Sequence, residues 1–169
     1  MRVTIELLNE MNKDEFLRIV GPVFEHSPWV AERVWDFRPF RSVAQLHGEM
    51  MSRVREAGEP AVLQLFRAHP DLATRLKVTE LSAGEQGGAG LDRLSPQEYE
   101  RFSELNRRYK QKFGFPFILA VAGKTKEQIA EAMERRLQHE AAEEWRRALS
   151  EIAKITEIRL ERIIQSTAH

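Results

Sequence analysis

A histidine followed by proline is the first residue whose type and setting could support chemistry. His69 lies in Phe66-Arg67-Ala68-His69-Pro70-Asp71-Leu72, just past a predicted helix, and the proline after it disfavours helical geometry at His69. An imidazole titrates close to neutral pH, which suits donation of a proton. A lone histidine in this position is more often a hydrogen-bonded boundary residue, so both interpretations stay open.

An arginine on the apolar face of the last predicted helix is the second candidate. At about 100° per residue, Arg159 falls inside an apolar arc with spacings of three and four. The arc consists of Trp145, Ala148, Leu149, Ile152, Ile155 and Ile163. In the simpler interpretation the stem packs while the guanidinium reaches solvent or pairs with a carboxylate. In the other, the guanidinium lies on a pocket floor and binds a carboxylate, urea or carbonyl group at two points.

Two segments with weak helix signals could supply backbone groups to a ligand. The first spans 79–94 and has four glycines between positions 84 and 90, which disfavours a helix. Its Ser82-Ala83-Gly84-Glu85 run has the spacing of a capping box, but together with Gln86 it could instead form a polar wall. The second segment, 115–121, is apolar and lies between two glycines, so it is either extended or a buried helical turn. Unpaired amides and carbonyls in such segments can bind polar ligand atoms.

Other chemistries lack the residues they need. Gly123-Lys124-Thr125 follows an apolar run as in a phosphate-binding loop, but Ile118 stands where the leading glycine belongs. The chain has no cysteine, and its five histidines show no paired helical spacing, so no metal site is expected. The charge runs Arg107-Arg108 and Glu143-Glu144 are interpreted as solvated helix faces.

Length and charge bound the class of protein. A chain of 169 residues predicts one domain covering 1–169. The 26 Lys and Arg residues balance 26 Asp and Glu residues, which disfavours electrostatic binding of nucleic acid. The longest apolar stretch, 115–122, has eight residues, far fewer than the roughly 20 that span a bilayer. We therefore expect a cytoplasmic protein that binds neither nucleic acid nor membrane.

Helix start and stop signals predict an all-α fold, a single compact multi-helix domain. Residues that cap helix N-termini open five of the predicted helices: Asn12, Ser27, Ser42, Ser95 and Thr125. Gly58 and Gly114 are placed to end two of these helices. A further helix is predicted over 60–68, and the last over about 141–165. No segment shows the sustained alternation of a strand.

In chain order, these features resemble the 2-oxo-4-hydroxy-4-carboxy-5-ureidoimidazoline (OHCU) decarboxylase family, which acts last in the three-step route from urate to allantoin. The ordered set of segments covers nearly the whole chain, although each segment alone is weak. The segments are Glu25-His26-Ser27-Pro28-Trp29-Val30-Ala31, Arg38-Pro39-Phe40, Ala68-His69-Pro70-Asp71-Leu72-Ala73, Ser82-x-x-Glu85-Gln86-x-x-Ala89-Gly90-Leu91, Leu105-Asn106-x-x-Tyr109-x-x-Lys112-Phe113-Gly114-Phe115-Pro116-Phe117-Ile118, and Arg159-Leu160.

The resemblance implies an all-helical homodimer that acts on a small molecule without metal or organic cofactor. It implies that His69 is the catalytic proton donor, beside Pro70 at the substrate, and that Glu85 holds and polarises His69. It further implies that Arg159 binds the oxygen-rich ligand. The remaining implied substrate contacts come from Ser82, Ala83, Gly84, Glu85 and Gln86 and from the backbone of Phe117, Ile118, Leu119, Ala120 and Val121.

The hypothesis that follows is loss of carbon dioxide from the substrate, with the electron pair held in the adjacent ring carbonyl until His69 protonates one face to give S-allantoin. Two alternatives stay open. One is a helical protein-interaction module, whose groove would use the tryptophan-bearing helices and segment 115–122. The other is a hydrolase of a different ureido compound, in which His69 and Glu85 activate water.

Overall fold

The structure, a computed structural model, describes residues 3–70 and 95–165. These residues form α-helices joined by short connections, with two 3-10 turns at Gly21–Val23 and Trp35–Phe37. The other elements are β1 (Val3–Thr4), α1 (Ile5–Glu10), α2 (Lys13–Val20), α3 (Trp29–Val34), α4 (Val43–Glu56), α5 (Glu59–Ala68), α6 (Pro96–Phe113), α7 (Lys126–Arg136), α8 (Ala141–Ile163) and β2 (Ile164–Gln165). The predicted all-α class is confirmed.

The chain packs as two compact units. Unit 1 is drawn from Met1–Ala68 and Ala153–His169, and unit 2 from His69–Ile152. Helices α1 to α5 belong to unit 1, helices α6 and α7 belong to unit 2, and α8 contributes residues to both. No helix within the described ranges is long and apolar enough to cross a membrane.

The capping signals explain most of the helix boundaries. The side chain of Asn12 accepts a hydrogen bond from the Glu15 amide at 2.9 Å, and Ser42 accepts one from the Gln45 amide at 3.0 Å. Ser95 and Thr125 each open a helix with a complete capping box. Gly114 ends α6 at φ 81°, a left-handed conformation that favours glycine.

Two predicted boundaries are wrong in detail. Ser27 does not cap α3, because its hydroxyl donates to the Glu25 carbonyl at 2.8 Å in the turn that holds His26 at φ 44°. The last helix ends at Ile163 rather than near Gln165. The two residues after it form β2, which pairs in parallel with β1 so that Val3 lies opposite Ile164. This pairing joins residues far apart in sequence, and local patterns cannot reveal it.

The core of unit 1 forms where α2, α3 and α4 pack together. The buried side chains of Phe16, Val34, Leu46 and Met50 lie in it. Phe16 also meets the Trp35 ring edge-on at a centroid distance of 5.2 Å. The Asn9 side chain brackets Phe40, donating to its carbonyl and accepting from its amide at 2.8 Å each. These two bonds satisfy backbone groups of the connection before α4.

A buried histidine links α4 to α8 within unit 1. His47 Nε2 lies 2.9 Å from the Thr156 hydroxyl, and that hydroxyl donates to the Ala153 carbonyl at 3.3 Å. The tautomer of His47 decides which of the two groups donates in this contact. Burial lowers the pKa of His47, although the nearby Glu157 carboxylate opposes the shift.

This burial predicts a loss of stability in acid. The pKa of His47 is lowered from its ordinary value of 6.5, so the unfolded chain binds the proton more tightly than the folded chain. The stabilising contribution is therefore complete above about pH 6.5 and is lost as the pH falls below it. Urea unfolding at pH 7.5 and pH 5.5 measures the effect. His47→Gln retains a polar group that can donate to or accept from Thr156 but does not titrate. It should lose less stability across this range, and an equal loss would contradict the prediction.

Unit 2 contains an aromatic cluster between α6, the 115–117 segment and α8. The buried Tyr109 ring lies 4.6 Å from Phe113 and 5.3 Å from Phe117, measured between centroids. Phe115 in turn meets Trp145 edge-on at 6.2 Å. This packing holds the apolar segment that follows α6 against the start of α8.

Candidate active site

The predicted site residues fall partly inside the described ranges. His69, Pro70, Arg159 and the segment 117–121 are described. The predicted residues Ser82, Ala83, Gly84, Glu85 and Gln86 lie outside the described residues, so their roles stay predictions. The implied action of His69, Glu85 and Arg159 on one ligand likewise stays a prediction.

His69 is buried, with 6% of its surface exposed. It directly follows Ala68, the last residue of α5, and Pro70 prevents the helix from continuing through it. A histidine at an open helix end would be largely exposed, whereas the His69 side chain is shielded from solvent. Its burial is compatible with proton transfer to an enclosed ligand.

Arg159 is buried as its periodicity predicted, with 2% of its surface exposed. Its Nη2 donates to Glu25 Oε1 at 2.7 Å, and its Nη1 donates to the Val23 carbonyl at 3.0 Å. Glu25 is also buried, so the two opposite charges compensate each other away from water. The simpler interpretation of Arg159 allowed its guanidinium either to reach solvent or to pair with a carboxylate. The structure shows the pairing with a carboxylate.

The segment 117–121 forms neither helix nor strand, which removes the predicted alternative of a helical turn. Phe117, Ile118, Leu119 and Val121 are nevertheless buried, each at most 6% exposed. Buried backbone outside regular structure needs other hydrogen-bond partners. Two charged side chains supply some of them.

The first is Arg136, the last residue of α7, which is 2% exposed. Its Nη1 donates to the Ile118 carbonyl at 2.7 Å. Its Nε donates to Glu144 Oε1 at 2.8 Å, and the guanidinium carbon lies 4.4 Å from the centre of the Phe117 ring. Arg136 is therefore held on three sides and holds one peptide group of the segment.

Glu144 supports this arrangement from α8. It is fully buried and accepts hydrogen bonds from Arg136 and, at 2.5 Å, from the Tyr109 hydroxyl. Burial and the bond to Glu144 raise the pKa of Tyr109 far above its ordinary value, so this hydroxyl remains a donor. His139 Nδ1 lies 2.8 Å from the second carboxylate oxygen.

The second charged side chain is Glu151, on the same face of α8 and 1% exposed. Its Oε1 accepts a hydrogen bond from the Ala120 amide at 2.9 Å. Its other oxygen lies 3.2 Å from Nε of the half-exposed Arg147. Arg136 and Glu151 thus bind two successive peptide groups of the segment, the first through a carbonyl and the second through an amide.

Sequence reasoning missed these supporting residues. The prediction that Glu144 lies on a solvated helix face is wrong, because its side chain is fully buried. Glu144, Glu151 and Arg159 share one buried face of α8 with the predicted core residues Ala148 and Ile152. Their spacings of three, four and seven residues were a usable signal, because they place the charges in the apolar arc. Glu25 carried no periodic signal, since it lies in a turn.

Comparison with known proteins gives a consistent result. A family model described as OHCU decarboxylase matches residues 9–161. A protein from Halalkalicoccus jeotgali named 2-oxo-4-hydroxy-4-carboxy-5-ureidoimidazoline decarboxylase is 46% identical over 96% of this chain and 92% of its own length. The Bacillus subtilis uric acid degradation bifunctional protein PucL is 44% identical over 95% of this chain, which covers 33% of PucL.

A solved structure agrees with the sequence comparison. The crystal structure of an (S)-allantoin synthase superimposes with a TM-score of 0.79 at 32% sequence identity. The match covers 96% of this chain and 54% of the allantoin synthase chain, so this chain spans about half of that protein. The family model and the H. jeotgali relative identify the chain as a decarboxylating lyase. The chain belongs to the OHCU decarboxylase family.

Proposed function

We propose that this protein decarboxylates 2-oxo-4-hydroxy-4-carboxy-5-ureidoimidazoline to S-allantoin in the degradation of urate. The observation that carries the proposal is the similarity to the H. jeotgali decarboxylase along nearly the whole length of both chains. The urate context is supported by the likeness to PucL, whose name refers to uric acid degradation.

Loss of carbon dioxide leaves an electron pair on the substrate, and this pair must be delocalised. The bond between the carboxylate carbon and the ring carbon breaks, and carbon dioxide leaves. The carbon that loses carbon dioxide carries a hydroxyl and has no ring carbonyl beside it, so the electron pair moves into the adjacent ring C=N bond and leaves an enol. A proton then adds to the ureido-bearing carbon. The enol hydroxyl loses its proton to become the carbonyl of allantoin, and the ring nitrogen takes up a proton. A donor aimed at the developing oxyanion stabilises this path, and loss of one such donor typically costs about 10²–10³ in rate.

His69 is the proposed proton donor. Its burial supports the role, because a proton delivered from a fixed, enclosed imidazole reaches one face of the planar carbanion only. Glu85 is proposed to hold the imidazole in one tautomer and raise its proton affinity. Ser82, Ala83, Gly84 and Gln86 are proposed to bind polar groups of the substrate beside it, and Pro70 to line it.

Arg159 and the backbone of 117–121 are the proposed oxygen-binding groups. Arg159 is held by Glu25 and Val23, which supports a fixed orientation of its guanidinium. The Ala120 amide is committed to Glu151, so it does not serve as an oxyanion donor. The amides of Phe117, Ile118, Leu119 and Val121 remain candidates.

The two alternatives make different demands on these residues. An interaction module needs segment 115–122 as an exposed apolar surface, yet Phe115, Phe117 and Ile118 are buried. That burial disfavours the module. A hydrolase of another ureido compound would use the same histidine, and only the reaction products separate it from a decarboxylase.

Supply of freshly generated substrate tests the proposal. Urate is oxidised and the first product hydrolysed enzymatically, and the purified chain is then added. Carbon dioxide release and the circular dichroism of allantoin are followed together. Accelerated carbon dioxide release with a growing S-allantoin signal is expected. Release of ammonia or urea without carbon dioxide would identify a hydrolase, and no acceleration of any product would leave the interaction module.

We further propose that the protein is a cytoplasmic homodimer and that residues 1–169 form one domain. The single continuous family match over 9–161 supports one functional domain even though the chain packs as two units. Light scattering of the purified chain tests the dimer directly, since a mass near 39 kDa is expected against 19.6 kDa for one chain.

A further inference from the structure

The two peptide groups on either side of Leu119 are held by opposite charges. In the first, the Ile118 carbonyl accepts from Arg136. In the second, the Ala120 amide donates to Glu151. Both charged side chains are at most 2% exposed, so these bonds form away from competing water. We call Arg136 and Glu151, with these two bonds, the peptide clamp.

Because peptide groups are planar, these two bonds also fix the directions of the Leu119 N–H and C=O. In a trans peptide the C=O and N–H groups point in opposite directions. The Leu119 N–H therefore points away from Arg136, and the Leu119 C=O points away from Glu151. Among the described residues neither group takes part in a hydrogen bond, although Leu119 is only 6% exposed. Buried backbone groups without a protein partner are rare and require a ligand or water.

The peptide clamp also strengthens the Leu119 N–H as a hydrogen-bond donor and the Leu119 C=O as an acceptor. A cation bound to the Ile118 carbonyl polarises that peptide and makes the Leu119 N–H a stronger donor. A carboxylate bound to the Ala120 amide likewise makes the Leu119 C=O a stronger acceptor. Leu119 thus offers one strengthened donor and one strengthened acceptor. Ureido and lactam groups carry an adjacent C=O and N–H, which are the complementary pair.

We propose that Arg136 and Glu151 are positioning residues, which orient and polarise the backbone of Leu119 so that it binds the C=O and N–H of a ureido or lactam group on the ligand. This inference rests on the proposed function for the identity of the ligand. Neither charged residue touches the ligand in this arrangement, and Glu144 acts one step further away by holding Arg136.

Isotope labelling isolates the relevant amide. Ile118-Leu119 is the only Ile-Leu pair in the chain, so carbonyl-¹³C isoleucine combined with ¹⁵N-leucine gives a single correlated amide signal, that of Leu119. Titration of the full chain with (S)-allantoin should shift this signal as the site fills. In the ligand-free protein, Arg136→Lys should shift it as well, because the polarised carbonyl belongs to the same peptide.

Binding and kinetics test the positioning role. Arg136→Lys keeps the charge but cannot donate to Ile118 and Glu144 with the same fork, so Kd for (S)-allantoin and KM should rise about tenfold or more, with a smaller change in kcat. Arg101→Lys is the matched control, because Arg101 is half-exposed and pairs with Glu134 on the surface. Its Kd and KM should equal those of the wild type.

A second pair of variants covers the case in which Arg136→Lys fails to fold. Glu151→Gln retains an oxygen that accepts from Ala120 but loses the charge, so its affinity for (S)-allantoin should lie between those of the wild type and Glu151→Leu. Glu151→Leu removes the acceptor and should lose about tenfold or more in affinity. Equal affinity of these two variants, or wild-type affinity in folded Arg136→Lys, would overturn the inference.

The outcomes separate this inference from the proposed function. Normal decarboxylation with a Leu119 signal that ignores saturating (S)-allantoin overturns the role of Leu119 alone. A Leu119 signal that responds to (S)-allantoin in a protein without decarboxylase activity overturns the proposed function alone. Absence of both overturns both.

Discussion

His69→Asn is expected to lower enzyme-dependent formation of S-allantoin by about 10²–10⁴-fold, the usual contribution of a general acid. Asparagine is polar and of similar reach, but it has no group that titrates near neutral pH. The substrate decays without enzyme, and water delivers a proton to either face of the carbanion. Carbon dioxide release should therefore continue at the spontaneous rate while the circular dichroism of the product disappears.

The matched control for this variant is His26→Asn. His26 is exposed and has a positive φ of 44°, a conformation that asparagine adopts more readily than most residues. The same chemical change at that position should leave turnover and enantiomer unchanged. Far-ultraviolet dichroism of both variants shows whether the helices persist. Formation of S-allantoin by folded His69→Asn at the wild-type rate would remove His69 from the mechanism.

Arg159→Lys is expected to raise KM about tenfold or more and to lower kcat as well. The guanidinium donates to Glu25 and to the Val23 carbonyl through two different nitrogens, and this places its plane. An ammonium is a point charge on a flexible stem and cannot reproduce that geometry. Steady-state kinetics on freshly generated substrate, with urea unfolding in parallel, measure the effect.

The parallel unfolding data separate binding from structure. Removal of one partner from a buried ion pair typically costs about 3–5 kcal/mol of stability, and Glu25→Gln should approach this range because it removes the carboxylate charge that lies 2.7 Å from Arg159. If Arg159 served packing alone, Arg159→Lys would lower stability and leave KM and kcat of the folded enzyme unchanged. That pattern would return Arg159 to the simpler interpretation.

The starts of several helices were predictable because the capping hydrogen bonds join residues that are close together in the sequence. Asn12, Ser42, Ser95 and Thr125 each cap a helix through a side chain only three residues from its partner. Prediction failed where a capping side chain bonds to another nearby group, or where a segment pairs with residues far away in the sequence. The Ser27 hydroxyl bonds to Glu25 rather than to α3, and the residues that follow α8 form β2, which pairs with β1 far away in the sequence.

The site was predictable to the extent that it shows in periodicity or motif. Arg159 stood out because a cation occupied an apolar arc, and its burial is confirmed. The same test applied to Glu144 and Glu151 would have found the groups that hold Arg136 and the Ala120 amide. The direction of a peptide group has no signature in side-chain types. The roles of Ile118 and Ala120 therefore emerge only from coordinates.

Unit 1 is completed by chain segments from both ends of the sequence, and this has a consequence for synthesis. Glu25 meets its counter-ion 134 residues later, and His47 meets Thr156 109 residues later. A ribosome releases the amino-terminal helices long before α8 emerges. During that interval the Glu25 carboxylate lacks its contact with Arg159, so we expect unit 1 to complete its packing only after α8 has been synthesised.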